Sequence, residues 1–144
     1  TYGNIFYKNV LVELRSIITT DRACSVYISP FYRDHGSYSI RLWGASAETD
    51  IMLASEWRKL YSVVIALYSI GEDNDEAFYE QLYSDAERLY QLLYNNNEAG
   101  SSALSWYDGV VNDITFDEFE GDEETVDNLH VARLSFSCRI NRTD

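Results

Sequence analysis

The stretch Trp57–Tyr94, WRKLYSVVIALYSIGEDNDEAFYEQLYSDAERLYQLLY, decides how the chain folds. Its first part reads as a strand, with Trp57, Tyr61, Val63, Ile65 and Leu67 on one face and Leu60, Val64, Ala66, Tyr68 and Ile70 on the other. A strand that is apolar on both faces belongs inside a sheet. After the acidic turn GEDNDE, apolar residues recur at helical spacing: Phe78, Leu82, Ala86, Leu89 and Leu93 form a stripe, flanked by Tyr79, Tyr83, Tyr90 and Tyr94. Such a helix has to fold back onto the sheet to bury its stripe. Asp73, Asn74 and Asp75 offer oxygens to the free amides of the helix start, and Asp73 with Glu76 has capping-box spacing.

Outward from this core, Tyr2 to Thr19 is helical in pattern, with Tyr7, Leu11, Leu14 and Ile18 on one stripe and Phe6, Val10 and Ile17 beside it. Cys24–Ser29 reads as a strand ended by Pro30, and Tyr38–Trp43 as a second strand, the two forming a hairpin across the turn around Arg33, Asp34, His35 and Gly36. Gly44 to Ser55 reads as a loop whose apolar tip, Ile51, Met52 and Leu53, either docks on a neighbour or covers the domain's own core. Beyond the helix, Asn95 to Ser102 is a connection. From about Leu104, Trp106, Val110, Ile114 and Phe116 alternate with Tyr107, Val111 and Asp113 in a half-buried strand, with a bulge at Asp108-Gly109. The acidic segment DEFEGDEETVD, 117–127, is an exposed loop. In the last strand His130, Ala132, Leu134, Phe136, Cys138 and Ile140 face the core and Val131, Arg133, Ser135, Ser137 and Arg139 face away. The order is α-β-β-β-α-β-β, an α+β single domain over 1–144 with a mixed or antiparallel sheet flanked by two main helices.

Charge is distributed unevenly. The net charge is -13, from 24 acidic and 11 basic residues, yet residues 1–68 balance at +1 and residues 69–144 carry -14. A surface this acidic disfavours nonspecific binding to nucleic-acid phosphates. Cys24 and Cys138 sit in separate strand-like segments and are read as buried thiols rather than a metal pair or a disulfide. No apolar run approaches the roughly 20 residues of a membrane span and no charged-and-apolar leader is evident, so the expectation is folding in a reducing cytoplasm.

Chemistry is sparse. His35 and His130 are the two histidines, without partners at metal-ligand spacing, and His130 reads as a core or interface residue. Phe119 and Gly121 interrupt the oxygen ligands that a calcium loop would need in the acidic segment. Nucleophile-elbow, P-loop and dinucleotide motifs are lacking, so no enzyme and no cofactor is expected. The prominent feature is tyrosine, 12 in all. With an apolar body and a polar tip, Tyr79, Tyr83 and Tyr90 suit a subunit interface as well as the rim of a core.

The strand YSVVIALYSIG, the segment DNDEAFYEQLYSDAERLYQLLYNN, the segment WYDGVVNDITFDEFEGDEE and the final strand LHVARLSFSCRI together resemble the tail terminator, or tail completion, proteins of long-tailed bacteriophages. The resemblance spans Trp57 to Ile140. It implies a small virion subunit, assembled in the host cytoplasm as a hexameric ring, that caps the last ring of tail tube protein. It also implies a joint to neck or head-completion proteins and a channel through which DNA passes without specific binding. Under it, Ile51, Met52 and Leu53, with Asp117, Glu118, Glu120, Asp122, Glu123 and Glu124, are the candidates for contacts between rings or for the channel lining. Two other readings fit size and acidity: a neck or head-completion protein, and an acidic DNA-mimic inhibitor of a host protein.

Overall fold

The centre of the molecule is the strand β3, Glu56–Ile70, hydrogen-bonded on both sides to strands of the same length. The computed structural model describes residues 4–22, 24–29, 38–53, 56–70, 75–98, 105–118 and 129–143. In chain order, a π-helical segment, Phe6–Leu11, runs into α1, Val12–Asp21. Then come β1, Val26–Ile28, β2, Tyr38–Met52, β3, α2, Glu76–Asn95, β4, Tyr107–Val111, β5, Thr115–Glu118, and β6, Leu129–Thr143. The sheet order is β1-β2-β3-β6-β4, with β5 also pairing β6. The fold is α+β, a single domain with a mixed sheet and two helices.

Both helices pack on one face of the sheet. Leu14 and Ile18 of α1 and Leu82, Ala86, Leu89 and Leu93 of α2 join Ile40, Leu42, Val63, Ile65, Leu67, Leu134, Phe136, Cys138 and Ile140 in one core. The opposite face carries a smaller cluster, Ala66, Tyr68 and Val131, with Trp43 and Ile70 against it. This explains why β3 reads as apolar on both sides. The face periodicity of β6 is as its sequence indicates, with Val131 an added buried residue on the second face.

Several expectations are corrected. β1 and β2 are parallel, Val26 opposite Ile40 and Ile28 opposite Leu42, and do not form a hairpin. Alternation specifies which face a residue takes, not the direction of its strand, and Val26 and Ile28 reach the core face either way. Gly44 to Met52 is strand rather than loop, and the hairpin is β2–β3, closed by the Leu53 amide donating to the Glu56 carbonyl at 2.8 Å. The register shifts between Gly44 and Ser46 and between Thr49 and Ile51, so the period of two is broken twice and the strand is camouflaged in the sequence. The region after α2 is two short strands, not one. A shift between Tyr107 and Val110 turns Val110 away from the helices, leaving it 50% exposed, while Val111 faces the core. Cys24 is half-buried, unlike the fully buried Cys138.

At the N-terminus the π-helical turn, which bonds residues five apart, puts Ile5 and Val10 on the buried side. Tyr7, which an α-helical count assigns to the stripe, is 41% exposed. Phe6 instead meets Tyr61 edge-on, ring centroids 5.0 Å apart, and lies over Gly44, where an added Cβ would come within 2.8 Å of the ring. The small residue at the first β2 bulge is therefore what lets the N-terminal segment seat.

The cap of α2 is Asp75, whose Oδ1 accepts from the Ala77 and Phe78 amides at 3.1 and 3.3 Å. Glu76 is the first helical residue, and Asp73, the other member of the expected capping box, lies outside the described residues. At the other end, Asn96 caps the helix through its backbone, its Nδ2 donates to the Leu92 carbonyl, and its own carbonyl accepts from Trp106 Nε1 at 3.0 Å. Asp108 has φ 52, and the Gly109 amide donates to the Asn97 carbonyl at 2.8 Å. A Cβ on Gly109 would stand 2.8 Å from that backbone.

Asp75→Ala is expected to cost about 1 kcal/mol. Gly109→Ala, which has to push backbone apart, is expected to cost about 1–3 kcal/mol. Equilibrium urea unfolding of the two variants checks both values and their order.

Candidate functional site

Strand ends set where the candidate residues lie. Glu56 pairs with Thr143 at one end of the β3–β6 ladder and Ile70 with Leu129 at the other. Fifteen-residue strands put those ends about 50 Å apart. Ile51, Met52 and Leu53 are at the β2–β3 hairpin end, where Met52 is 66% and Leu53 56% exposed. Asp117 and Glu118 are in β5, opposite Val131 and His130, at the far end. Glu120, Asp122, Glu123 and Glu124 lie outside the described residues. The apolar tip and the start of the acidic segment thus belong to opposite ends of the sheet and do not form one surface.

The hairpin end is braced. Asp50, the extra residue at the second β2 bulge, accepts from Arg58 Nε of β3 at 2.7 Å and from Arg139 Nε of β6 at 3.0 Å. Those hydrogen bonds, that from Arg139 foremost, hold the Asp50 carboxyl below its ordinary value. One carboxylate thereby ties three strands together next to the exposed tip. Nothing in the sequence spacing marks Asp50, because its role comes from a bulge.

The tyrosines of α2 divide. Tyr90 and Tyr79 are half-buried against the core, whereas Tyr83 is 48% exposed. Tyr83 meets Phe116 of β5 edge-on at 4.9 Å, and Phe116 is itself 44% exposed. Tyr79 lies 6.1 Å from Tyr83 and 5.3 Å from His130, whose ring also neighbours Phe78 at 5.1 Å. His130 is buried at 5%, as a core histidine beneath the first turns of α2. Phe116 has no sequence signal as a surface aromatic, since its alternation points it inward.

A groove of about 360 Å³ lies between the end of α1, the start of β2 and α2, lined by Arg22, Cys24, Tyr38, Gln81, Asp85 and Arg88. Arg22 donates to the Tyr38 hydroxyl and, through Nη2, to the Asp85 carbonyl at 3.3 Å. Arg88 Nε donates to Asp21 at 3.0 Å. Each arginine is thus matched by an aspartate. Burial, outweighing Arg22, pushes the Tyr38 hydroxyl up to about 12, and burial also raises the Cys24 thiol. Both groups are thereby held protonated at neutral pH, and the arginine contacts join helix to helix. Among the described residues no three His, Cys, Asp or Glu side chains gather as metal ligands, and no helix is long and apolar enough to cross a membrane.

No protein-family model matches the sequence, and no curated protein is detectably similar to it. Solved structures do share the fold. One is a chain from the virion of a native gene transfer agent particle, with TM-score 0.58 and 12% identity over 94% of this chain and 91% of that one. A second, which carries no functional description, has TM-score 0.55 and 16% identity over 100% and 98%. At these identities the likeness concerns the fold.

Alkaline stability follows chiefly from two buried groups, with smaller contributions of the same sign from Cys24 and Tyr68. Burial holds the Cys138 thiol at about 12, against an ordinary 9.0, and Tyr38 at about 12, against 10.0. The unfolded chain loses these protons first, so stability is full below about pH 9 and declines as pH rises towards 12. Denaturant unfolding between pH 8 and 11 is expected to show that decline. Cys138→Ala is expected to remove most of the part that sets in between pH 9 and 10, the remainder coming from the Cys24 thiol, which burial also raises.

Proposed function

We propose that this chain is a noncatalytic structural protein of a virion, a subunit of a ring that caps a tail tube. The observation that carries this reading is the end-to-end sharing of its fold with a chain of a gene transfer agent virion particle. The sequence resemblance to tail terminator proteins points the same way. In this reading six copies close a ring, the ring ends growth of the tube and joins the tail to the neck or head, and DNA passes through the channel.

The surfaces supply roles. The exposed Met52 and Leu53, stiffened by the Arg58–Asp50–Arg139 clamp, are the contact with the adjoining ring. The acidic segment begins in β5, at the other end of the sheet. Its like charge keeps DNA from adhering to the channel or mouth.

Electron microscopy of the purified protein tests the ring, with six-fold particles containing a pore as the expected result. Protein that stays monomeric across concentrations and with tube protein present overturns it. Cosedimentation separates the joints: binding to tube protein is expected, whereas binding to the portal complex alone makes the chain a neck or head-completion protein. Leu53→Asp is expected to weaken tube binding by about tenfold or more while leaving the ring intact.

A further inference from the structure

The two lateral sides of the helix layer differ in charge and in aromatic exposure. The π-helical segment lies over β2 and the edge of β3, α1 lies over β1, and α2 lies over β6 and β4. One side of the molecule is therefore the N-terminal segment and the other is the outer face of α2 with β5. On α2, Glu76, Glu80, Tyr83 and Glu87 recur at helical spacing and are exposed, and Tyr83 is locked edge-on to the exposed Phe116. This is an aromatic pair in an acidic rim. On the opposite side, Tyr7 is 41% exposed. Lys8 beside it is exposed and forms no ion pair among the described residues.

We infer that the Tyr83–Phe116 corner of one copy receives the Tyr7-Lys8 turn of a second copy. The inference rests on the ring reading and names its lateral contact. An ammonium group set against aromatic faces gains from the ring quadrupoles, and the flanking glutamates add Coulomb attraction that partial desolvation strengthens. Aromatic anchors with low side-chain entropy are the residues that carry interface energy. The contact joins two different patches, so it is heterologous and propagates around a ring instead of closing a two-fold dimer. An isologous α2–α2 contact would set Glu80 and Glu87 against their own copies.

The test is sedimentation of full-length protein over a wide concentration range. Lys8→Glu, a change at an exposed site, is expected to raise the concentration for half-assembly by about tenfold or more. Tyr83→Ala and Phe116→Ala are expected to do the same, with circular dichroism confirming the fold. Glu80→Lys combined with Lys8→Glu is expected to recover much of the loss. Assembly of Lys8→Glu and Tyr83→Ala at wild-type concentration overturns this contact while leaving the ring reading standing. Wild-type protein that is monomeric at every concentration overturns the ring reading itself.

Discussion

Everything in the fold hangs on β3 being paired along its length on both sides. Its ladder with β6 runs without a break from Glu56–Thr143 to Ile70–Leu129. A strand held at both edges has no room for an extra residue, because an insertion would slip the register with one neighbour and turn a whole apolar face outward. The irregularities therefore fall on the outer strands. β2 bulges twice and β4 once, while β3 and β6 keep strict alternation. The bulges are also where the special contacts arise. Gly44 lies at the start of the first and leaves room for Phe6, the second places Asp50 between two arginines, and Asp108-Gly109 lets the chain pass against the end of α2. The bulges in β2 further interrupt an edge that, among the described residues, β1 pairs from Ile40 to Leu42, a defence against unintended strand pairing.

This division explains what could be read from sequence. β3, α2 and β6 are regular, and their periodicity gives faces, boundaries and core residues almost residue by residue. The second half of β2 is invisible as a strand because two added residues break its period and its exposed edge carries Gly, Ala, Ser and Thr. The β1–β2 direction is invisible because alternation is indifferent to it. Of the candidate site residues, Met52, Leu53 and Tyr83 are recognisable, since exposure of a large apolar or aromatic side chain on a polar stretch is a local property. Tyr90 is not distinguishable from them by spacing, and only packing shows that it belongs to the core rim. Phe116, Lys8 and Asp50 acquire their surroundings from elements distant in sequence, and no local pattern encodes that.

The charge asymmetry of the sequence becomes a spatial one. The acidic segments that follow Ile70 and Glu118, with seven of the 24 acidic residues in 71–74 and 119–128, both leave the sheet at the same end. At the hairpin end the carboxylate of Asp50 is already neutralised by Arg58 and Arg139. A chain of net charge -13 thus has one end where close approach of another surface meets little repulsion. Apolar exposure is concentrated at that same end, in Met52 and Leu53. The two properties favour contact there for the same reason: desolvation costs least where charge is already paired and the surface is apolar.

Self-association of so acidic a chain is constrained further. Any two-fold contact places each patch on its own copy, and most patches here are acidic, so symmetry would bring like charges together. A head-to-tail contact escapes this, because one side can be acidic and the other cationic. The helix layer has that arrangement: glutamates and aromatic rings on α2, Lys8 and a tyrosine on the N-terminal turn over other strands. The separation in turn depends on the N-terminal helices packing over β1 to β3 and α2 over β6 and β4, and so on β3 keeping β2 and β6 apart. The strand that builds the core also holds the two dissimilar sides in one fixed relation, so successive head-to-tail contacts repeat the same rotation, and that rotation decides between a closed ring and an open chain of subunits.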